Sequence, residues 1–233
     1  MTSKISSYNN LTQRLITGLL GSAIVIAGIV MSEWAYFAIF LLLCLLSLLE
    51  FYKLVGLDGM LPQKAFGTFC GGFIFVLSFL IEKGVMPRES YFLIFPLISL
   101  VYMIKLYKKT ERKPFTNIAF TFLGIFYVAM PFTLLNIAVF EETIYNYQII
   151  FGCLFILWAS DTGAYFAGTF FGKRKLFERI SPKKSWEGFF GGAALALIIT
   201  LTLAYFFTTL SLVDWLLIAM IIIIGGTFGD LVE

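Results

Sequence analysis

The chain contains no histidine. That absence removes imidazole acid–base catalysis and histidine–metal sites from the chemistry these residues can offer. Charge is scarce as well. Asp, Glu, Lys and Arg make up 13% of the 233 residues, against about 25% in soluble domains. With 60% hydrophobic residues, 18% aromatic residues and a mean hydropathy of +0.92, a soluble globule is excluded and an integral membrane protein remains. The three cysteines, Cys44, Cys70 and Cys153, all fall inside apolar runs without metal-ligand spacing, and they read as buried small hydrophobes. No alternating strand pattern of the kind a membrane barrel needs is present, so helices are the expected spanning structure. Internal repeats and low-complexity segments are missing too, and the chain reads as a single membrane domain over residues 1–233. The polar N-terminus, MTSKISSYNNLTQR, lacks a small-residue cleavage site and reads as a cytoplasmic lead-in to the first span.

What is abundant is apolar sequence in runs of about 20 residues, enough to cross a bilayer. The expected spans are Leu15–Met31, Trp34–Tyr52, Phe66–Ile81, Tyr91–Tyr107, Asn117–Phe140, Gln148–Phe171, Trp186–Leu210 and Val213–Val232. The expected fold is therefore all-α, a polytopic membrane protein with about eight transmembrane helices. Pro96 and Pro131 fall within spans, where kinks are expected that neighbouring helices accommodate.

The loops orient the chain. Counting alternate loops from the N-terminus, fifteen of the seventeen Lys and Arg residues fall on the N-terminal side. Lys83 and Arg88 alone fall opposite, beside Glu33, Glu82, Glu89, Glu141, Glu142 and Asp214. The positive-inside rule then puts the N-terminus, the basic loop at 173–184 and the end of the chain in the cytoplasm.

One stretch at that face departs from the greasy background: Ala159–Gly192, ASDTGAYFAGTFFGKRKLFERISPKKSWEGFFGG. Asp161 interrupts an apolar run, and an intramembrane carboxylate is a functional-site candidate by default. On a helix it shares a face with Tyr165 and Gly168. Gly163, Gly168 and Gly172 with Ala164, and Gly188, Gly191 and Gly192 beyond the loop, have the small-residue spacing of closely packed helices. Gly168–Lys173 (GTFFGK) is one residue short of a P-loop, lacks a hydroxyl after the lysine and follows no strand, so it is rejected. The basic run Lys105–Lys113 reads as a topology determinant facing anionic headgroups. Ser181-Pro182 suits a helix N-terminus, with Ser181 as N-cap and Pro182 in the first turn. Such an end binds anions through free N–H groups. Lys183 and Lys184 add positive charge, Ser185 a hydroxyl and Glu187 a carboxylate. Near the end of the last span, after Gly225–Gly229, Asp230 and Glu233 stand at i, i+3 on one helix side. Convergence of Asp161, Glu187, Asp230 and Glu233 with these lysines would fit Mg²⁺, which takes a few carboxylates plus substrate phosphates. The residues alone thus imply a membrane enzyme that handles phosphorylated compounds.

In these motifs the chain resembles the phosphatidate cytidylyltransferases, or CDP-diacylglycerol synthases. The resemblance rests on Ser160–Gly168 (SDTGAYFAG), Ser181–Gly188 (SPKKSWEG, the family's S-P-x-K-[ST]-x-E-G) and Gly229–Glu233, the start of a GD-x-x-ES segment. Glu50–Leu54 (EFYKL) is similar as well. The resemblance implies the reaction of CTP with phosphatidate to give CDP-diacylglycerol and diphosphate. A phosphatidate oxygen attacks the α-phosphorus of CTP and diphosphate leaves in line. A phosphate monoester is nucleophilic near neutral pH, with a second pKa of about 6, so no dedicated base is required. It further implies Mg²⁺ as cofactor, with a second cation left open, and metal ligation by Asp230 and Glu233. Asp161, Lys184, Glu187 and Asp230 take the catalytic positions, and Ser181, Pro182, Lys183 and Ser185 bind the substrate phosphates. The expected partners are CTP, phosphatidate and the bilayer, with a homodimer left open and no nucleic acid. The expected location is the inner (cytoplasmic) membrane, multi-pass, with the active face cytoplasmic. Family members carry a further HGG-x-LDR-x-D signature that this sequence lacks, so a truncated chain, inactive alone, is expected. Two alternatives remain. One is a CTP-dependent polyprenol or phytol kinase. The other is a lipid-binding transporter, which would spread polar residues through the bilayer's depth rather than at one face. The DG-x-x-AR array of CDP-alcohol phosphatidyltransferases is absent.

Overall fold

The structure, a computed structural model, describes residues 2–107 and 113–232; at 2–12, 14–15, 105–106, 182 and 230–232 it describes the backbone alone. It is helical almost throughout, as apolar runs with no water to satisfy the backbone require. By contact, the chain divides into two compact units, residues 1–146 and 147–233.

The first unit contains α1 (Thr2–Met31), α2 (Glu33–Leu57), α3 (Lys64–Glu82), α4 (Ile94–Leu106), α5 (Pro114–Gly124) and α6 (Met130–Val139). Ser32 caps α2, its side chain accepting from the Ala35 N–H. Cys44, Leu48 and Tyr52 of α2 bury against Ala129, and Cys70 and Ile74 of α3 bury with Val101, Ile118 and Ile125. Polar side chains tie these helices where hydrocarbon alone gives little driving force. The Tyr52 hydroxyl donates to the Thr121 carbonyl at 2.7 Å. Tyr36 donates to Asn136 Oδ1 and Asn136 Nδ2 donates to the Phe75 carbonyl, each at 3.0 Å. The Tyr52 side chain fits because its neighbours are glycines: a Cβ on Gly67 would stand 2.4 Å from its hydroxyl oxygen and one on Gly124 2.5 Å from its ring.

Both intramembrane prolines sit at breaks in helix type. Pro131 follows a π turn, Ile125–Ala129, in which the Met130 N–H reaches the Ile125 carbonyl. The wider turn accommodates a residue with no N–H to give. Pro96 lies in the first turn of α4, just after a 3-10 turn at Arg88–Leu93. A two-residue turn with positive φ at Glu142 and Thr143 joins β1 (Phe140–Glu141) to β2 (Ile144–Tyr145), a hairpin within an expected loop.

The second unit is α7 (Gln148–Phe171), a hairpin of β3 (Lys175–Phe177) and β4 (Ser181–Ser185), α8 (Trp186–Phe206) and α9 (Leu212–Val232). Its core is Ile156, Ala196, Leu203, Trp215, Ala219 and Ile223. Gly152 makes room for the Trp215 ring, which lies 2.3 Å from where its Cβ would be.

Six described helices are long and apolar enough to cross a membrane, against the expected eight. The two expected spans outside that set are the first, whose described apolar part is Ile16–Met31, and the fourth. There the helix proper has 13 residues, about 20 Å, short of a hydrocarbon core of about 30 Å. The three cysteines are free thiols, Cys44 and Cys70 buried and Cys153 half-buried, as their apolar context implied.

Candidate active site

The site begins with how closely α7 and α8 approach. A Cβ on Gly191 would stand 2.1 Å from Ala167 Cβ, one on Gly163 2.6 Å from the Gly191 carbonyl oxygen, and one on Gly192 2.6 Å from the Ser160 carbonyl oxygen. Of the glycines expected to allow packing, Gly163, Gly191 and Gly192 do so, and no larger residue would fit at these three without parting the helices. This contact brings the C-terminal half of α7 against the first turns of α8.

The connection between them is built differently from the expectation. Ser181 is not an N-cap and Pro182 does not open a helix. Both lie in β4, which pairs antiparallel with β3 through Lys175↔Ser185 and Phe177↔Ser181. The register is irregular between those pairs, because β4 carries more residues there than β3. Pro182 is tolerated at such a bulge, having no N–H to give a ladder. The helix starts four residues later. Ser185, with extended backbone, caps α8 by accepting from the Gly188 N–H at 3.1 Å. A hydroxyl directly before a helical run competes with Ser181 for the cap, and the strand pairing decides between them.

Glu187, in the first turn of α8, faces the end of α7. Its carboxylate accepts from the Lys173 N–H at 3.1 Å and from the Arg174 N–H at 3.2 and 3.3 Å. The Arg174 carbonyl in turn accepts from the Trp186 N–H at 2.9 Å. The two ends of the hairpin are thereby stapled together.

Between this hairpin and the helices lies a cavity of about 590 Å³. Asp161, Tyr165 and Gly168 line it from α7, the face that helical periodicity gave them. The hairpin contributes Ser181, Lys183, Lys184 and Ser185, and α9 contributes Gly226 and Thr227. Lys184 Nζ donates to the Thr227 carbonyl at 3.3 Å, which ties the hairpin to α9. Two ammonium groups, three serine hydroxyls (Ser160, Ser181 and Ser185) and one carboxylate converge among the described lining residues, an excess of positive charge that suits an anion.

Of the expected site residues, Asp161, Ser181, Lys183, Lys184 and Ser185 share the cavity, whereas Glu187 does not line it and holds backbone instead. Pro182 lies beside them in β4, its side chain outside the described residues. Asp230 is in α9, one turn past Gly226 and Thr227, and its side chain is likewise outside them, as is Glu233 altogether. Among the described residues no group of three Asp, Glu, Cys or His is placed to hold a metal ion. The donors that are present are hard oxygens, one carboxylate with serine hydroxyls, which fit Mg²⁺ bound mainly through a substrate's phosphates. Thr169 and Leu157 also line the cavity; they stand at i+8 and i−4 from Asp161, and extending the same helical face would have found them. Thr227 meets Lys184 through its carbonyl, for which the side-chain sequence holds no signal.

A helical membrane unit with a cationic, hydroxyl-rich cavity at its loop end fits the class of membrane enzymes that act on phosphorylated substrates. The comparison with known proteins gives that class its family. A profile described as the cytidylyltransferase family matches residues 12–233, and the chain belongs to that family. It is similar to a phosphatidate cytidylyltransferase of Bacillus subtilis, 29% identical over 232 residues, which cover 96% of this chain and 83% of that protein. The phosphatidate cytidylyltransferases of Staphylococcus saprophyticus and Staphylococcus aureus are 37% and 35% identical over 125 residues, 53% of this chain and 46% of each of theirs.

Proposed function

We propose that the full-length protein is a phosphatidate cytidylyltransferase, converting CTP and phosphatidate to CDP-diacylglycerol and diphosphate. The observation that carries the reading is the convergence of Asp161, Ser181, Lys183, Lys184 and Ser185 on one cavity in a chain of the cytidylyltransferase family.

Both substrates are polyanions, so the protein's main task is to neutralise charge and align the two phosphates. Lys183 and Lys184 supply that charge at the cavity wall. Lys184 is oriented by the Thr227 carbonyl, which holds its ammonium group at the wall where a phosphate would sit. Ser181 and Ser185 offer hydroxyls to phosphate oxygens; Ser185 already accepts one bond from Gly188 and keeps its own proton to donate. Glu187 fixes the backbone at 173–174 and so sets where the hairpin stands. Asp161, the carboxylate of the cavity, would contribute to holding Mg²⁺, with Asp230 and Glu233 the further ligands that the family resemblance implies. Bound there, the ion would supply Lewis-acid stabilisation of charge on the phosphate oxygens. The attacking phosphate monoester needs no base at neutral pH.

The same reading puts the cavity at the cytoplasmic face of the inner membrane, where CTP is present. The distribution of basic residues supports it: with the eight expected spans all crossing, fifteen of seventeen fall on one set of loops, including all six between Lys173 and Lys184. The test is to incubate the full-length protein in detergent with CTP, phosphatidate and Mg²⁺ and to separate the lipids. CDP-diacylglycerol is expected; a folded protein that yields none would sink the assignment.

A further inference from the structure

The outer side of the β3–β4 hairpin is not used by the cavity. Leu176 and Ser181 face inward, but Phe177 and Ile180, flanking the turn, are 40% and 61% exposed. Around them Lys173, Arg174, Lys175 and Arg179 are exposed, with Glu178 the single acid between Lys173 and Lys184. Phe170 and Phe171 at the end of α7, Trp186 and Phe190 at the start of α8 and Phe228 near the end of α9 are exposed as well. Phe177 lies 6.4 Å from Phe228, ring centre to ring centre, so the hairpin tip continues this aromatic belt.

Trp is enriched at the headgroup level of a bilayer, and exposed Phe beside Lys and Arg is the composition of elements that lie in that interface. Basic residues within a Debye length of an anionic leaflet are attracted to it. An apolar pair set in a basic surround is the pattern of an element that lies in the interface. The hairpin is also held firmly: by strand pairing, by Glu187 on the 173–174 backbone and by Lys184 on the Thr227 carbonyl. Its tip is therefore presented in one orientation.

We propose that the β3–β4 hairpin docks on an anionic lipid leaflet, with Phe177 and Ile180 inserted at headgroup depth and the surrounding Lys and Arg side chains facing lipid phosphates. The cavity wall formed by β4 is then anchored to the membrane surface. This surface is separate from the cavity and does not depend on the reaction assigned to it.

The test uses full-length protein carrying Ile180→Cys labelled with nitrobenzoxadiazole. Cys44 and Cys70 are buried, which favours labelling at 180. The protein is reconstituted in phosphatidylcholine vesicles with or without phosphatidylglycerol, which is not the proposed substrate. With phosphatidylglycerol, the emission should shift to the blue, be quenched by headgroup-level nitroxide lipid and resist aqueous iodide. Quenching by the nitroxide should fall about twofold or more in phosphatidylcholine alone, or when Lys175→Glu and Arg179→Glu are combined. A label open to iodide in both vesicles, or equally quenched in both, would overturn the proposal. So would iodide protection that persists in lipid-free detergent, which would mean that protein covers the tip. CTP turnover of the unlabelled protein, measured separately, keeps this outcome distinct from the fate of the functional assignment.

Discussion

Substituting alanine for Gly191 adds one carbon where α7 and α8 touch. The new Cβ would stand 2.1 Å from Ala167 Cβ. Two such carbons settle at about 3.5–4.0 Å, so the helices must part locally by roughly 1.5 Å. Overpacking of that order costs about 1–3 kcal/mol. The displacement also moves the start of α8, with Ser185 and Gly188, away from Asp161 and Tyr165 on α7, which form the opposite wall of the cavity. A misplacement of about 1 Å between catalytic walls costs on the order of 10²-fold in rate. Gly191→Ala should therefore lower the thermal unfolding midpoint in detergent by several degrees and reduce turnover of CTP about a hundredfold. Gly225→Ala is the control, because a Cβ there has no described atom within 4 Å; it should leave both quantities within about 1 kcal/mol of wild type. A Gly191→Ala protein with wild-type midpoint and turnover would refute the view that this glycine contact sets the site.

Lys184→Ala removes a cavity cation and its bond to the Thr227 carbonyl. A hydrogen bond to a charged group contributes about 1.5–3 kcal/mol, so kcat/KM for CTP should fall roughly 10- to 100-fold, with Lys184→Arg restoring part of it. Ser185→Ala removes the α8 cap and should destabilise by about 1 kcal/mol, visible as a lowered unfolding midpoint. Ser185→Asp should recover that stability but not turnover, since it places an anion where phosphate is to bind. Glu187→Gln keeps one acceptor for the 173–174 backbone and Glu187→Ala keeps none. Proteolysis between 172 and 185 should accelerate in the order wild type, Gln, Ala, and equal rates for all three would remove Glu187 from its stapling role.

The parts of the molecule that follow from hydropathy and period were legible before any coordinates. Apolar runs gave the helices, a 3.6-residue period put Asp161, Tyr165 and Gly168 on one face, and glycine spacing gave the α7–α8 contact. What escaped depends on non-local pairing. Residues 175–185 are short, basic and bulged, with no alternation to announce a strand, so Ser181-Pro182 passed for a helix start. Only pairing with β3 shows that the cap belongs to Ser185. Glu187 looked like a candidate ligand because its partners are backbone N–H groups, which no side-chain pattern reveals. The 3-10 entry to the fourth apolar run was not legible either, because composition does not distinguish a 3-10 turn from α-helix.

The central claim is cytidylyl transfer, and the fate of each CTP phosphate tests it most directly. Full-length protein is supplied with phosphatidate, Mg²⁺ and CTP labelled at either the α- or the γ-phosphorus. Attack at the α-phosphorus predicts that the α-label enters the lipid fraction, that the γ-label leaves as diphosphate, and that the two appear in equal amounts. A γ-label in the lipid, with the α-label left in CDP, would mean a CTP-dependent kinase and would contradict the account.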